Sequence, residues 1–128
     1  MSNEILTPEQ SPPALAPYSP GTKAGGFIFI SGTLAMSPTG ETVGVGDVRA
    51  QTRCVLDTVR RVMEEGGGSL RNVVMNQIFL KDLADYAAMN EVYREYFPEN
   101  PPARYCIQTP LVRPDFLVEI ATTAYVGN

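Results

Sequence analysis

Phe27-Ile28-Phe29-Ile30-Ser31-Gly32 has the makings of a strand, but of one without a polar face. Successive strand side chains point to opposite sides. Phe27 and Phe29 therefore share one face while Ile28 and Ile30 share the other. Residues 73–80 repeat the pattern, with Val74 and Ile78 set against Val73 and Phe79. A sheet built from such strands needs cover on both sides. Just upstream, Gly25-Gly26 reads as a tight turn from a short strand at residues 22–24. Gly32, just after the run, permits a close backbone approach or a positive φ.

Moving outward, residues 37–46 are turn chemistry: Ser37-Pro38-Thr39-Gly40, then Gly44 and Gly46. Asp47 is placed to cap a first helix. Val48, Val55, Leu56, Val59, Val62 and Met63 keep helical spacing until Gly66-Gly67-Gly68 stops it. Residues 73–80 predict a strand. Asp82-Leu83-Ala84-Asp85 predicts the start of a second helix with the stripe Leu83, Tyr86, Asn90, Tyr93, Phe97, and Pro98 lies beyond its end. Two last strands, around Arg104 and Glu119, are joined through a segment with Pro110 and Pro114 that reads as a hairpin connection. Residues 8–20 are rich in proline and read as an irregular arm.

The predicted order is two strands, helix, strand, helix, two strands. That is an α+β domain with both helices on one sheet face. Two helices cannot cover both apolar faces, so the second face is expected to meet other subunits.

A length of 128 residues fits one domain, residues 1–128. A chain of this size removes roughly two thirds of its unfolded surface from water, enough for a real core. Hydrophobic content is 44%, charged content 19% and mean hydropathy −0.07, as expected of a globular protein. No apolar run approaches the ~20 residues that span a bilayer. Met1-Ser2-Asn3-Glu4 lacks the pattern of a secretory signal. Cys54 and Cys106, without CxxC spacing, fit free thiols in a reducing cytoplasm.

The net charge is −4, with ten Lys and Arg residues scattered along the chain. Nucleic acid is held mainly through clustered Lys and Arg, so it is not an expected partner. Histidine is absent. That removes Ser-His and Cys-His nucleophile pairs, most zinc sites and the commonest general base. Gly66-Gly67-Gly68 follows a helix and lacks the Lys-Ser/Thr ending of a phosphate loop.

Two charged residues interrupt apolar strands: Arg104 in Ala103-Arg104-Tyr105-Cys106-Ile107, and Glu119 in Val118-Glu119-Ile120. Charged side chains are rarely buried without a partner or a task. If the two strands fold back on each other about residues 111 and 112, Arg104 and Glu119 become cross-strand neighbours, about 5 Å apart at Cβ. One reading is a structural ion pair, although such pairs add little net stability. The other is a site. Arg presents a planar fork suited to a substrate carboxylate. Glu119 would have its pKa raised by desolvation and opposed by Arg104, and such a group can exchange protons with water.

Other candidates also have two readings. Cys106 shares a strand face with Arg104, as a buried filler or a cleft residue. Asn90 is a satisfied core amide or a group reaching the cleft. Tyr18, on the arm, is an anchor or a lid. Ser31-Gly32 ends a buried strand and could offer a hydroxyl and a free N–H.

Pro102-Ala103-Arg104-Tyr105-Cys106, with Ser31-Gly32 and Val118-Glu119-Ile120, resembles the RidA/YjgF family of enamine/imine deaminases along essentially the whole chain. Pro20-Gly21-Thr22, Asn90-Glu91-Val92-Tyr93 and Leu111-Val112-Arg113-Pro114-Asp115 add to the likeness, which is greatest to the branch associated with pyrimidine utilisation. The resemblance implies a chorismate-mutase-like mixed sheet with two helices on one face, assembled as a homotrimer with three clefts between subunits. It implies no metal and no organic cofactor. It assigns Arg104 to the substrate carboxylate and Glu119 to water and protons, with Tyr18, Ser31, Gly32, Asn90 and Cys106 lining the cleft. Tyr18 fits the general family pattern, whereas the pyrimidine branch carries Phe there. The implied substrate is 3-aminoacrylate. The alternatives are 2-aminoacrylate or 2-iminopropanoate, or a non-catalytic trimer that binds small carboxylates.

Overall fold

A computed structural model describes residues 3–127 of the chain. Asp47 begins the first helix as its chemistry suggests: its Oδ1 accepts a hydrogen bond from the Ala50 N–H at 3.1 Å. Helix α1, Val48–Glu65, ends at Gly66, whose N–H reaches back to the Val62 and Met63 carbonyls. The second helix starts later than its acidic cap predicts. Asp82 caps a 3₁₀ turn, Leu83–Asp85, and α2 runs over Tyr86–Tyr96.

The strands are β1, Glu4–Leu6; β2, Gly21–Ala24; β3, Phe27–Leu34; β4, Val73–Leu80; β5, Ala103–Gln108; and β6, Val118–Tyr125. They form one mixed sheet in the order β1-β2-β3-β6-β4-β5. All neighbours are antiparallel except β4 and β5, which are parallel. The β2–β3 turn is Gly25-Gly26, with Gly25 at φ 58°. β1 was not foreseen, and with three residues and only Leu6 buried it offers too little pattern to read.

Both helices lie on one face. α1 packs on β3, β6 and α2. The buried cluster joins Val55, Leu56 and Val59 to Ile28, Ile30, Ile78, Val118 and Ile120. Truncating a side chain such as Leu56 to Ala should cost about 2–5 kcal/mol. The opposite face remains open. Phe27 and Phe29 are 44% and 47% exposed, and the Phe27 ring lies 5.0 Å from that of Tyr125. Tyr105 and Ile107 are also exposed.

Two expectations about the strands need correction. In β4, a register irregularity between Val73 and Met75 sets Val73 on the buried side with Ile78 and leaves Val74 exposed. Strict alternation had paired Val74 with Ile78. More consequentially, β5 and β6 are not a hairpin. β4 lies between them. The connection bonds across the end of β4, where Thr109 N–H donates to the Leu80 carbonyl and Lys81 N–H to that of Leu117. It is long enough to skip a strand, unlike a tight hairpin turn. Buried Gln51 fixes it by donating to the Asp115 carbonyl and accepting from Leu117 N–H, both at 2.8 Å. The strand–helix–strand pattern of residues 73–108 was the available signal, because a parallel pair needs a crossover helix.

Candidate active site

Arg104 sits on the edge strand β5 opposite Asn76 of β4, on the helix-covered side. Its guanidinium meets one face of α2. Nη2 donates to Asn90 Oδ1 at 2.7 Å and to the Tyr86 hydroxyl at 3.0 Å. The guanidinium carbon lies 4.8 Å from the Tyr93 ring centroid and 5.6 Å from that of Tyr86, within cation–π range. Tyr86, Asn90 and Tyr93 follow helical i, i+4, i+7 spacing, so a single stripe supplies all three. That stripe was expected to face the core. Tyr93 and Phe97 are buried as expected, joined by Met89 and Val92, but Leu83 is exposed and Tyr86 is exposed beside the arginine. Tyr86 and Tyr93 are the partners that sequence reasoning missed, though the polar Asn90 within the stripe marked the place.

Among the described residues no carboxylate pairs with Arg104, and its protein hydrogen bonds run through Nη2 alone. Nε and Nη1 therefore remain available as donors. Beside Arg104 lies a cavity of about 530 Å³ whose walls include Tyr86, Asn90, Tyr93, Pro98 and Pro102.

Glu119 lies elsewhere. It pairs with Leu34 of β3 and Phe79 of β4 on the face away from the helices, between buried Val118 and Ile120. Arg104 and Glu119 therefore project from opposite faces of the sheet in one protomer. The predicted cross-strand pair does not form. Burial pushes the Glu119 carboxyl above its ordinary value, and burial is the sole cause; the opposing effect expected from Arg104 is missing within the protomer.

What Glu119 does touch is Gly32. The β3–β6 register shifts between Ile30 and Thr33, and a Cβ at Gly32 would collide with the Glu119 carboxylate. Glycine there lets the Glu119 carboxylate sit where a Cβ would push it aside. Ser31 is tied to the arm: its hydroxyl donates to the Ser19 carbonyl at 2.6 Å and its N–H to that of Pro20 at 3.0 Å. Ser31, Gly32 and Tyr18 line a cavity of about 250 Å³ under the arm, together with Pro12 and Thr58. The Tyr18 hydroxyl accepts a long hydrogen bond, 3.4 Å, from Leu15 N–H.

The candidate residues thus fall into two groups. Arg104, Asn90 and Cys106 belong to the helix side of the β5 edge. Cys106 pairs with Ile78, and its thiol is pushed up by burial, with Arg104 opposing. Ser31, Gly32 and Tyr18 form a second group at the cavity under the arm, which Glu119 does not line but meets at Gly32. Cys54 belongs to neither and is raised by burial beside Met36.

A family model described as endoribonuclease L-PSP matches residues 8–126. The chain is 53% identical over 126 residues to 3-aminoacrylate deaminase RutC of Acinetobacter baylyi, covering 98% of this chain and 100% of that one. Among solved structures, RidA from the Antarctic bacterium Psychrobacter sp. superposes with a TM-score of 0.89 at 32% identity, covering 96% of this chain and 99% of that one. E. coli TdcF with bound serine gives a TM-score of 0.87 at 32% identity, covering 95% and 98%. The chain belongs to the endoribonuclease L-PSP family, the RidA/YjgF family that its Arg104 and Glu119 segments resemble.

Proposed function

We propose that this protein hydrolyses 3-aminoacrylate to malonic semialdehyde and ammonia, at clefts formed between the subunits of a homotrimer. The observation that carries the reading is the Arg104 guanidinium: held by Asn90 and two tyrosines, it has no carboxylate partner of its own among the described residues. A cation so placed is suited to grip a small carboxylate. The close likeness to a 3-aminoacrylate deaminase selects the substrate.

Arg104 of one subunit fixes the substrate carboxylate, and Glu119 of the neighbour handles protons and water. Association through the open face that bears Phe27, Phe29 and Tyr125 would bury those side chains and unite the two groups. Asn90 and Cys106 then border the Arg104 side of each cleft, and Tyr18, Ser31 and Gly32 the Glu119 side. A protonated Glu119, favoured by its burial, delivers a proton to C2 of the enamine and gives the iminium. The ionised carboxylate then takes a proton from water as the oxygen attacks C3. Glu119, protonated again by that step, gives its proton to the amino nitrogen, and its carboxylate takes the hydroxyl proton as the carbinolamine forms its C=O bond, the C–N bond breaks and ammonia leaves. One positioned acid/base contributes about 10²–10⁴-fold, enough for a reaction that already proceeds in water.

The test uses 3-aminoacrylate generated enzymatically, with ammonia and malonic semialdehyde measured against the spontaneous rate. Acceleration is expected, with a higher rate than on 2-aminoacrylate. Preference for 2-aminoacrylate would replace the substrate, and binding of small carboxylates without turnover would make the protein a regulatory trimer. The net charge of −4 argues against RNA as substrate despite the family's description.

A further inference from the structure

Asn76 is a fully buried amide in the middle of β4, surrounded by core residues. Nothing in the reaction above uses it. Its Oδ1 accepts from the Thr122 hydroxyl of β6 at 2.7 Å, and its Nδ2 donates to the Tyr93 hydroxyl of α2 at 2.9 Å. Thr122 is itself 3% exposed. Tyr93 in turn presents its ring to the Arg104 guanidinium. A line of polar contacts therefore runs from the sheet centre to the cation at its edge.

Such a chain is poorly explained as a source of stability. Buried polar pairs can be replaced by apolar groups of the same shape at little net cost. Fully satisfied, however, they fix one arrangement where apolar packing would allow several. Tyr93 would otherwise be positioned by packing alone, and with it the surface against which Arg104 rests. The cation–π contact depends on ring placement, and Asn90, one turn away on the same helix, holds the Nη2 end.

We infer that Thr122, Asn76 and Tyr93 are positioning residues for Arg104, a buried hydrogen-bonded relay that fixes the guanidinium for its carboxylate. The inference rests on the reading of Arg104 as the carboxylate grip. It adds that this grip is set from the sheet interior, by residues that do not touch substrate.

The experiment compares wild type with Asn76→Leu/Thr122→Val, which removes both buried polar groups together. It reads 15N relaxation of the Arg104 Nε–H alongside KM and kcat for 3-aminoacrylate. The variant leaves the buried Tyr93 hydroxyl without its Asn76 partner, so it should melt below wild type while remaining folded. Its Arg104 Nε should become mobile, and KM should rise about tenfold with kcat within about twofold, as expected when positioning for binding is lost. Should the double variant fail to fold, Thr122→Val alone is compared in the same way, with Thr122→Ser expected to restore rigidity and KM. A folded variant with unchanged Nε relaxation and unchanged KM overturns the inference. So does Thr122→Ser behaving like Thr122→Val. If wild type shows no turnover at all, the proposed function fails, while the Nε relaxation still decides whether the relay holds the arginine.

Discussion

The two halves of the candidate site are built on opposite plans. Arg104 is held by several partners: an amide, a hydroxyl and two aromatic rings converge on it from α2, and a buried relay supports one of those rings. Glu119 accepts no side-chain hydrogen bond among the described residues and rests against the bare backbone of Gly32. The first arrangement suits a group that must stay charged and still. The second suits one that must change its protonation, since burial without a fixed partner favours the neutral acid. In the proposed reaction, a firmly held cation and a loosely held carboxyl would divide the labour of orientation and proton transfer.

Removing either group should cause the largest loss. Arg104→Ala and Glu119→Ala should each lower kcat/KM on 3-aminoacrylate by about 10³-fold or more while the fold persists, as read by circular dichroism. Arg104→Lys should also fail, because a point charge cannot form the guanidinium fork. Next comes Gly32→Ala, which forces the Glu119 carboxylate aside. A displacement of that size should cost about 10²-fold in kcat. Asn90→Ala removes one 2.7 Å bond to Arg104 but leaves both rings. A hydrogen bond to a charged group is worth about 1.5–3 kcal/mol, so a loss of about ten- to a hundredfold is expected, chiefly in KM.

The smallest effect concerns pH. The folded Glu119 pKa lies above its ordinary value of 4.5. Its contribution to stability is therefore fully present below that value and is lost as pH rises through the folded pKa. Glu119→Gln carries no such penalty. Melting curves should show the variant gaining on wild type as pH increases through that window. An Arg104→Ala background should widen the gap, because in the assembly the neighbour's guanidinium would offset burial. An equal gap in both backgrounds would separate the two groups.

Local signals in the sequence were reliable where they were self-contained. Asp47 and Gly66 bracket α1, and the β-branched run at residues 73–80 is β4 to the residue. Strand adjacency was harder, because it depends on which strand best fills the centre. β6 takes that place, with Val118, Ile120, Thr122 and Ala124 all buried. β5, with no fully buried residue, falls to the edge. The residue types of the site could be read from Arg104 and Glu119 as charges in apolar runs. Their arrangement could not, because β4 comes between their strands and the two side chains leave opposite faces of the sheet, which no local pattern encodes. The relay through Asn76 was hidden for a similar reason: an Asn within a strand run carries no mark of the partners that tertiary packing brings to it.

The central claim is that each cleft takes its arginine from one subunit and its glutamate from the next. The most direct test mixes Arg104→Ala and Glu119→Ala subunits, each inactive alone, by co-expression or by refolding together at equal ratio. In a closed ring with random mixing, about a quarter of the clefts receive an intact arginine and an intact glutamate, so about a quarter of wild-type turnover should return. Mixed trimers that form, as shown by native mass spectrometry, yet remain inactive would contradict the account.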